Sequence, residues 1–125
     1  MKKKILISIP AYNEANNIRP LYKKLNETLE EKRDEVDFEI LFINDGSKDN
    51  TVSEVLSLIE QTDNVSLIDL SRNYGKEIAM SAGFDYSTHD AVITMDADLQ
   101  HPPATIIDMI DLWQQGYEDV YAKRN

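Results

Sequence analysis

Asp96-Ala97-Asp98-Leu99-Gln100 sets three oxygen-bearing side chains at alternate positions, directly after the apolar run Ala91–Met95. In extended backbone, residues two apart point the same way, so Asp96 and Asp98 are expected to face one spot. Two carboxylates held close repel, and a divalent cation relieves the repulsion. Mg²⁺ takes oxygen ligands and commonly uses one or two protein carboxylates, with phosphate and water completing its shell. Gln100 adds a neutral oxygen, and Pro102-Pro103 forces a turn that can open a helix. The chemistry this suggests is a metal–diphosphate site at the end of a strand. An isolated Asp-x-Asp also occurs in ordinary solvated loops, so its surroundings must decide.

Those surroundings are strands that end in polar clusters. Lys4–Ile9 is apolar and β-branched and stops at Pro10, followed by the loop Pro10-Ala11-Tyr12-Asn13-Glu14. Asn16 or Asn17 can cap a helix that carries Ile18, Leu21, Tyr22, Leu25 and Leu29 to about Lys32, with Pro20 near its first turn. Phe38–Ile43 is a second strand and ends in Asn44-Asp45-Gly46-Ser47, where Gly46 supports a tight turn. Ser47–Thr51 offers caps for a helix with Val52, Val55, Leu56 and Ile59 facing inward. Val65–Leu70 is a third strand, and Ser71–Glu77 leads into a helix with Ile78, Ala79, Ala82 and Tyr86 inward. Small residues there (Ala79, Ser81, Ala82, Gly83) permit close packing on a sheet. After the fourth strand, Ala91–Met95, come a helix over about Pro103–Gln115 and a short fifth strand at Val120-Tyr121-Ala122.

Strands alternating with helices predict an α/β fold: three layers, a mostly parallel sheet, right-handed crossovers. Ligands of such sheets sit beyond the carboxyl ends of the strands, at a switch point. The clusters Pro10–Glu14, Asn44–Ser47, Arg72–Lys76 and Asp96–Gln100 all fall at those ends and are expected to converge on one crevice. A nucleotide would find Asp45 to accept from base or ribose, Tyr12 to cover a ring, and Asp96 and Asp98 to hold diphosphate through a metal. Arg72 and Lys76 supply positive charge. Singly, each has a plainer role: Tyr12 packing over the first helix, Asp45 forming a turn, Arg72 and Lys76 as surface charges. His101 reads as a loop residue beside the site, His89 as a surface turn residue, and Trp113 and Tyr121 as core or rim packing. Neither the dinucleotide fingerprint G-x-G-x-x-G nor the P-loop G-x-x-x-x-G-K-[ST] occurs.

The 125 residues suit one domain, and the net charge of -10 argues against a nucleic-acid surface. Without cysteine there is no disulfide, thiolate chemistry or cysteine-held zinc. The apolar runs fall well short of the ~18 residues that span a bilayer. Lys2-Lys3-Lys4 before Ile5-Leu6-Ile7 is not read as a signal peptide, because Tyr12-Asn13-Glu14 breaks the run too early.

Ile9–Glu14, Ile43–Ser47, Arg72–Glu77 and Met95–Pro103, in that order, resemble the successive motifs of family 2 glycosyltransferases. The last two are most similar to the polyprenyl-phosphate branch, the dolichyl-phosphate mannose synthases and bacterial undecaprenyl-phosphate glucosyltransferases. The resemblance implies a GT-A fold and a UDP- or GDP-sugar donor. It implies that Pro10, Tyr12, Glu14 and Asp45 line the nucleoside pocket, with Lys76 near the donor. Asp96-Ala97-Asp98 would be the DXD motif: Ala97, Asp98 and Gln100 at the diphosphate, Asp98 and Gln100 binding Mg²⁺ or Mn²⁺, and Asp96 close to the ribose or metal. The implied reaction is inverting transfer of a hexose to a polyprenyl phosphate, the metal stabilising the leaving nucleoside diphosphate.

The family's catalytic domain continues beyond residue 125, so residues 1–125 are read as its N-terminal, donor-binding half. The expectation is weak donor or metal binding, little transfer, no acceptor site, and self-association through exposed apolar surface. The chain is expected to be cytoplasmic, and the full-length protein to work at the cytoplasmic face of the membrane. A phospho-receiver module would match the length and acidity, but it needs an acidic pair after the first strand and an acceptor Asp after the third. Here those strands end in Pro10-Ala11-Tyr12 and Leu70-Ser71-Arg72. A nucleotidyltransferase would keep the fold, but its glycine- and arginine-rich first loop is missing.

Overall fold

The computed structural model describes residues 2–97 and 104–116. Four strands, β1 (Lys3–Ala11), β2 (Val36–Asp45), β3 (Val65–Leu70) and β4 (Ala91–Thr94), form one parallel sheet in the order β3-β2-β1-β4. The helices are α1 (Ala15–Leu29), extended by a 3-10 turn over Glu30–Lys32, then α2 (Thr51–Gln61), α3 (Lys76–Tyr86) and α4 (Ala104–Gln114). The expected three-layer α/β architecture is present. The expected fifth strand at Val120–Ala122 lies outside the described residues.

The two central strands are continuous apolar runs because both their faces are covered. Ile5, Leu6, Ile7 and Ile9 of β1 and Ile40, Leu41, Phe42 and Ile43 of β2 are fully buried. Side chains alternate between the faces. Ile5, Ile7, Ile9, Ile40 and Phe42 meet Ile18, Leu21 and Leu25 of α1, Val55 and Leu58 of α2, and Ile106, Met109 and Ile110 of α4. Leu6, Leu41 and Ile43 meet Ala79 of α3 on the other face. Connectivity accounts for this split. The chain steps from β1 to β2 to β3 in one direction, then crosses back over both to reach β4. A right-handed crossover in the reverse direction must put its helix on the opposite face.

Close packing of α3 depends on its small residues. A Cβ at Gly83 would stand 2.3 Å from Ser8 Oγ and 3.1 Å from Ile43 Cδ1. Ser8 Oγ beneath it is buried with no hydrogen-bond partner among the described residues.

Several local expectations are corrected. α1 begins at Ala15 with Glu14 as N-cap and no side-chain cap, so neither Asn16 nor Asn17 caps it. Asn17 instead donates from Nδ2 to Glu14 Oε2 at 2.8 Å. Pro20 lies inside α1, where it removes an amide that would have bonded to the Asn16 carbonyl. On α2 the inward position belongs to Leu58, while Leu56 is 48% exposed. On α3 the sheet contact is made by Ala79 and Gly83, because only small side chains let the backbone come close. Ile78 and Tyr86 are consequently exposed. β1 also runs past Pro10 to Ala11. Proline is tolerated there because pairing with β4 stops at Ser8↔Thr94, leaving Pro10 a strand neighbour on the β2 side only.

His89 is not a surface turn residue. Its side chain is 10% exposed, and Nε2 lies 2.8 Å from Glu39 Oε1. Nδ1 meets Ser87 Oγ at 2.9 Å. The other Glu39 oxygen accepts from Ser66 Oγ at 2.6 Å and from the Tyr86 hydroxyl at 2.5 Å. Glu39 therefore gathers β3, the end of α3 and the turn before β4. Burial by itself pushes the Glu39 carboxyl up, but the hydrogen bonds from Ser66, Tyr86 and His89 outweigh it. The carboxyl is held below its ordinary value of 4.5. A depressed carboxyl contributes stability that is full above its unfolded pKa and is lost as pH falls through the folded one. Acid titration of unfolding free energy should show a loss below about pH 4.5 that is shallower in Glu39→Gln. Identical slopes in both proteins would count against this clamp.

Candidate functional site

The loops after the first three strands are stitched edge to edge by side chains that bond to backbone amides. Asn13 adopts a φ of +53°, which asparagine tolerates. Its amide donates to Ser47 Oγ at 2.9 Å, and its Oδ1 accepts from the Lys48 amide at 2.8 Å. The Glu14 amide donates to Thr51 Oγ1 at 2.9 Å, and the Ala15 amide to Asp49 Oδ2 at 3.2 Å. Asp49 Oδ1 also accepts from the Thr51 amide and hydroxyl, at 3.0 and 2.5 Å. Burial raises the Asp49 carboxyl, but the bonds from Thr51 and Ala15 prevail and hold it below the usual aspartate range. One carboxylate thus serves the first turns of both α1 and α2, where amides lack intrahelical partners.

A second seam joins the loops after β2 and β3. Asn44 Nδ2 donates to Asp69 Oδ1 at 2.7 Å, across the pair Asn44↔Asp69 of the parallel ladder. The Ser47 amide donates to Asn44 Oδ1 at 3.0 Å. Asp45, 5% exposed, accepts the Tyr74 amide on Oδ1 at 2.7 Å and the Gly75 amide on Oδ2 at 3.1 Å. Gly46 makes the approach feasible. Its φ is +73°, and a Cβ there would fall 2.2 Å from the Asn73 nitrogen.

The third link crosses the sheet. Lys76, the first residue of α3, places Nζ 2.5 Å from Asp96 Oδ1, beyond the end of β4. The result is a crevice of about 250 Å³ lined by Pro10, Ala11, Tyr12, Glu14, Asp45, Lys76, Asp96 and Ala97. It opens at the carboxyl ends of β1 and β4, between α1, which leaves β1 over one face of the sheet, and α3, which leads into β4 over the other, and ligands of open α/β sheets sit beyond such strand ends. It exists because β1 runs on to Ala11 after β4 has stopped at Thr94. A wider groove of about 640 Å³, with Tyr22, Arg33, Phe38 and Asn64 among its walls, lies elsewhere and contains none of these residues.

The structure thus brings together Pro10, Tyr12, Glu14, Asp45, Lys76, Asp96 and Ala97. Asp98 and Gln100, with His101, lie outside the described residues. β4 ends at Thr94 and Ala97 is in a turn, so strand geometry does not extend through Asp96 and Ala97. Among the described residues no three His, Cys, Asp or Glu side chains form a cluster. The donor chemistry still fits a cation, since Asp96 holds an ammonium at 2.5 Å in a partly buried setting.

The model of "Glycosyl transferase family 2" matches residues 6–125. The chain belongs to that family. It is 45% identical over 122 residues to a bactoprenol glucosyl transferase of Shigella phage SfX, covering 98% of this chain and 39% of that protein. The chain spans 36% to 39% of the length of the curated relatives it matches. The fold is shared with a mannosyltransferase of Pyrobaculum calidifontis solved with GDP-Man and Mn²⁺ (TM-score 0.67, 24% identity, 78% of this chain and 28% of that one). It is shared also with residues 1–349 of S. aureus TarS solved with UDP (TM-score 0.65, 21% identity, 92% and 32%). These neighbours make the sheet a GT-A fold.

In this family 2 chain Tyr12 is 40% exposed at the crevice lip, not packed away over α1. Arg72 does not line the crevice; its guanidinium lies 4.8 Å from the centre of the Tyr74 ring. Trp113 is half-buried against the core, as expected. Sequence reasoning missed Ala11 as a wall, because a small apolar residue carries no chemical signal. It read Ser47–Thr51 as helix caps alone, although serine, aspartate and threonine bond equally well to amides of another loop. Gly46→Ala should lower unfolding free energy by at least about 2 kcal/mol, from left-handed strain plus the backbone clash. Urea denaturation checks this, and an unchanged midpoint would mean the loops are not in contact.

Proposed function

We propose that this chain is the donor-binding part of a glycosyltransferase that moves a hexose, with inversion, from a nucleotide-diphospho-sugar to a polyprenyl phosphate at the cytoplasmic face of a membrane. The observation that carries the reading is the convergence of Tyr12, Glu14, Asp45, Lys76 and Asp96 on one crevice at the carboxyl ends of β1 and β4. The relative named for bactoprenol glucosyl transfer supports the acceptor class. The neighbours solved with GDP-Man and with UDP support the donor class. Among the described residues no helix is long and apolar enough to cross a membrane.

The roles follow from chemistry. Tyr12 offers a ring face to the base. Asp45 has used one lone pair of each oxygen on Tyr74 and Gly75, and the remaining lone pairs can accept from base or ribose. Asp96, Asp98 and Gln100 would hold Mg²⁺ or Mn²⁺, which when bound supplies the positive charge that stabilises the leaving diphosphate. Lys76 would supply the positive charge for a phosphate oxygen. In the transfer, a lipid phosphate oxygen bonds to the anomeric carbon as the bond to the nucleoside diphosphate breaks. That nucleophile is already ionised, so no strong general base is required. The crevice is somewhat smaller than the ~300–1,000 Å³ common for ligand pockets, which suits part of a donor rather than a complete site.

Titration calorimetry with UDP or GDP in the presence of Mn²⁺ should give saturable heat, and ligand at a hundred times Kd should add about 2.7 kcal/mol to stability. Tyr12→Ala should weaken binding about tenfold through lost stacking. No heat at millimolar nucleotide would overturn the donor reading. Self-association of this chain is a further part of the proposal, with Ile78 and Phe84 exposed on α3 and Leu56 and Leu112 exposed on the other face. Sedimentation velocity should show a concentration-dependent dimer, and a monomer at high concentration would reject it.

A further inference from the structure

The Lys76–Asp96 pair is asymmetric. Asp96 is 13% exposed on a short two-torsion side chain, whereas the Lys76 side chain is 50% exposed on a flexible four-carbon stem. The crevice holds Glu14, Asp45 and Asp96 against this one ammonium. Asp45 is committed to two amides, Glu14 Oε2 accepts from Asn17 Nδ2, and the ammonium stands on Asp96.

We propose that Lys76 is a placeholder cation. Its ammonium neutralises Asp96 when the crevice holds no ligand, and it leaves Asp96 for a diphosphate oxygen when a divalent cation and a nucleoside diphosphate enter together. The inference rests on the donor-binding reading and adds an order to it. A divalent cation alone must displace the ammonium and leave it without a partner. The cation and diphosphate together give both charges a partner. Binding of the bare cation is therefore suppressed, and the crevice prefers the cation–diphosphate pair.

The contrast is measured by Mn²⁺ electron paramagnetic resonance titration with and without UDP or GDP. Lys76→Met should bind Mn²⁺ alone at least threefold more tightly than the unaltered protein, because the ammonium no longer competes with the cation for Asp96. The same variant should bind nucleoside diphosphate in Mn²⁺ at least tenfold more weakly. Lys76→Arg, which keeps the charge, should bind bare Mn²⁺ no more tightly than the unaltered protein. Lys24→Met, on the exposed side of α1, controls for the general change in net charge. If Lys76→Met loses its cooperative thermal melt, Lys76→Gln carries the same comparison. Bare Mn²⁺ affinity that is unchanged or weaker in a folded Lys76 variant, or raised equally in Lys24→Met, overturns the placeholder. Failure of the unaltered protein to bind either nucleotide overturns the donor reading instead, while the bare Mn²⁺ contrast still tests the exchange at Asp96.

Discussion

A single buried carboxylate holds the working end of this molecule in shape. Asp45 spends both oxygens on the amides of Tyr74 and Gly75, fastening the loop that launches α3 to the end of β2. A buried carboxylate is costly unless it is bonded, and loop amides at a helix start are costly unless they are satisfied. Each solves the other's problem. The bond requires the loop to lie directly on Gly46, where no side chain could fit. Lys76 reaches the crevice only because this contact fixes where α3 begins.

The rest of the rim follows the same logic at lower stakes. Asn13, Ser47, Asp49 and Thr51 exchange hydrogen bonds that lock the loop after β1 to the start of α2. The crevice wall is built of irregular backbone whose amides are satisfied from the side. Such a wall can be rigid without being part of the sheet. At the opposite end, Glu39 ties β3, Tyr86 and His89 together, so α3 is anchored at both ends.

Topology supplies the remaining constraint. The reversal of chain direction after β3 sends α3 to the second face and β4 to the far side of β1. That pairing sets Lys76 and Asp96 on the two sides of one opening, although nineteen residues of chain lie between them. A sheet wound in one direction only would have placed α3 beside α2 and left no opening between β1 and its neighbour.

The alternation of apolar runs with amphipathic segments already determined the parallel three-layer fold, since continuous Ile, Leu and Val runs are stable only as strands covered on both faces. Polar residues at four strand ends likewise determined which residues would meet: Tyr12, Glu14, Asp45, Lys76 and Asp96 do share one crevice. What the order of residues could not decide was who bonds to whom. Asp45 looks like a turn residue or a ligand residue until Tyr74 and Gly75 are brought beneath it, and His89 looks solvated until Glu39 arrives from fifty residues away. Inward and outward positions on α3 were equally hidden, because both of its sides carry apolar residues and only contact with Ser8 selects Gly83. Side-chain chemistry is local and legible, whereas partnership depends on which surfaces the backbone brings within hydrogen-bonding distance, and only the folded chain sets that distance.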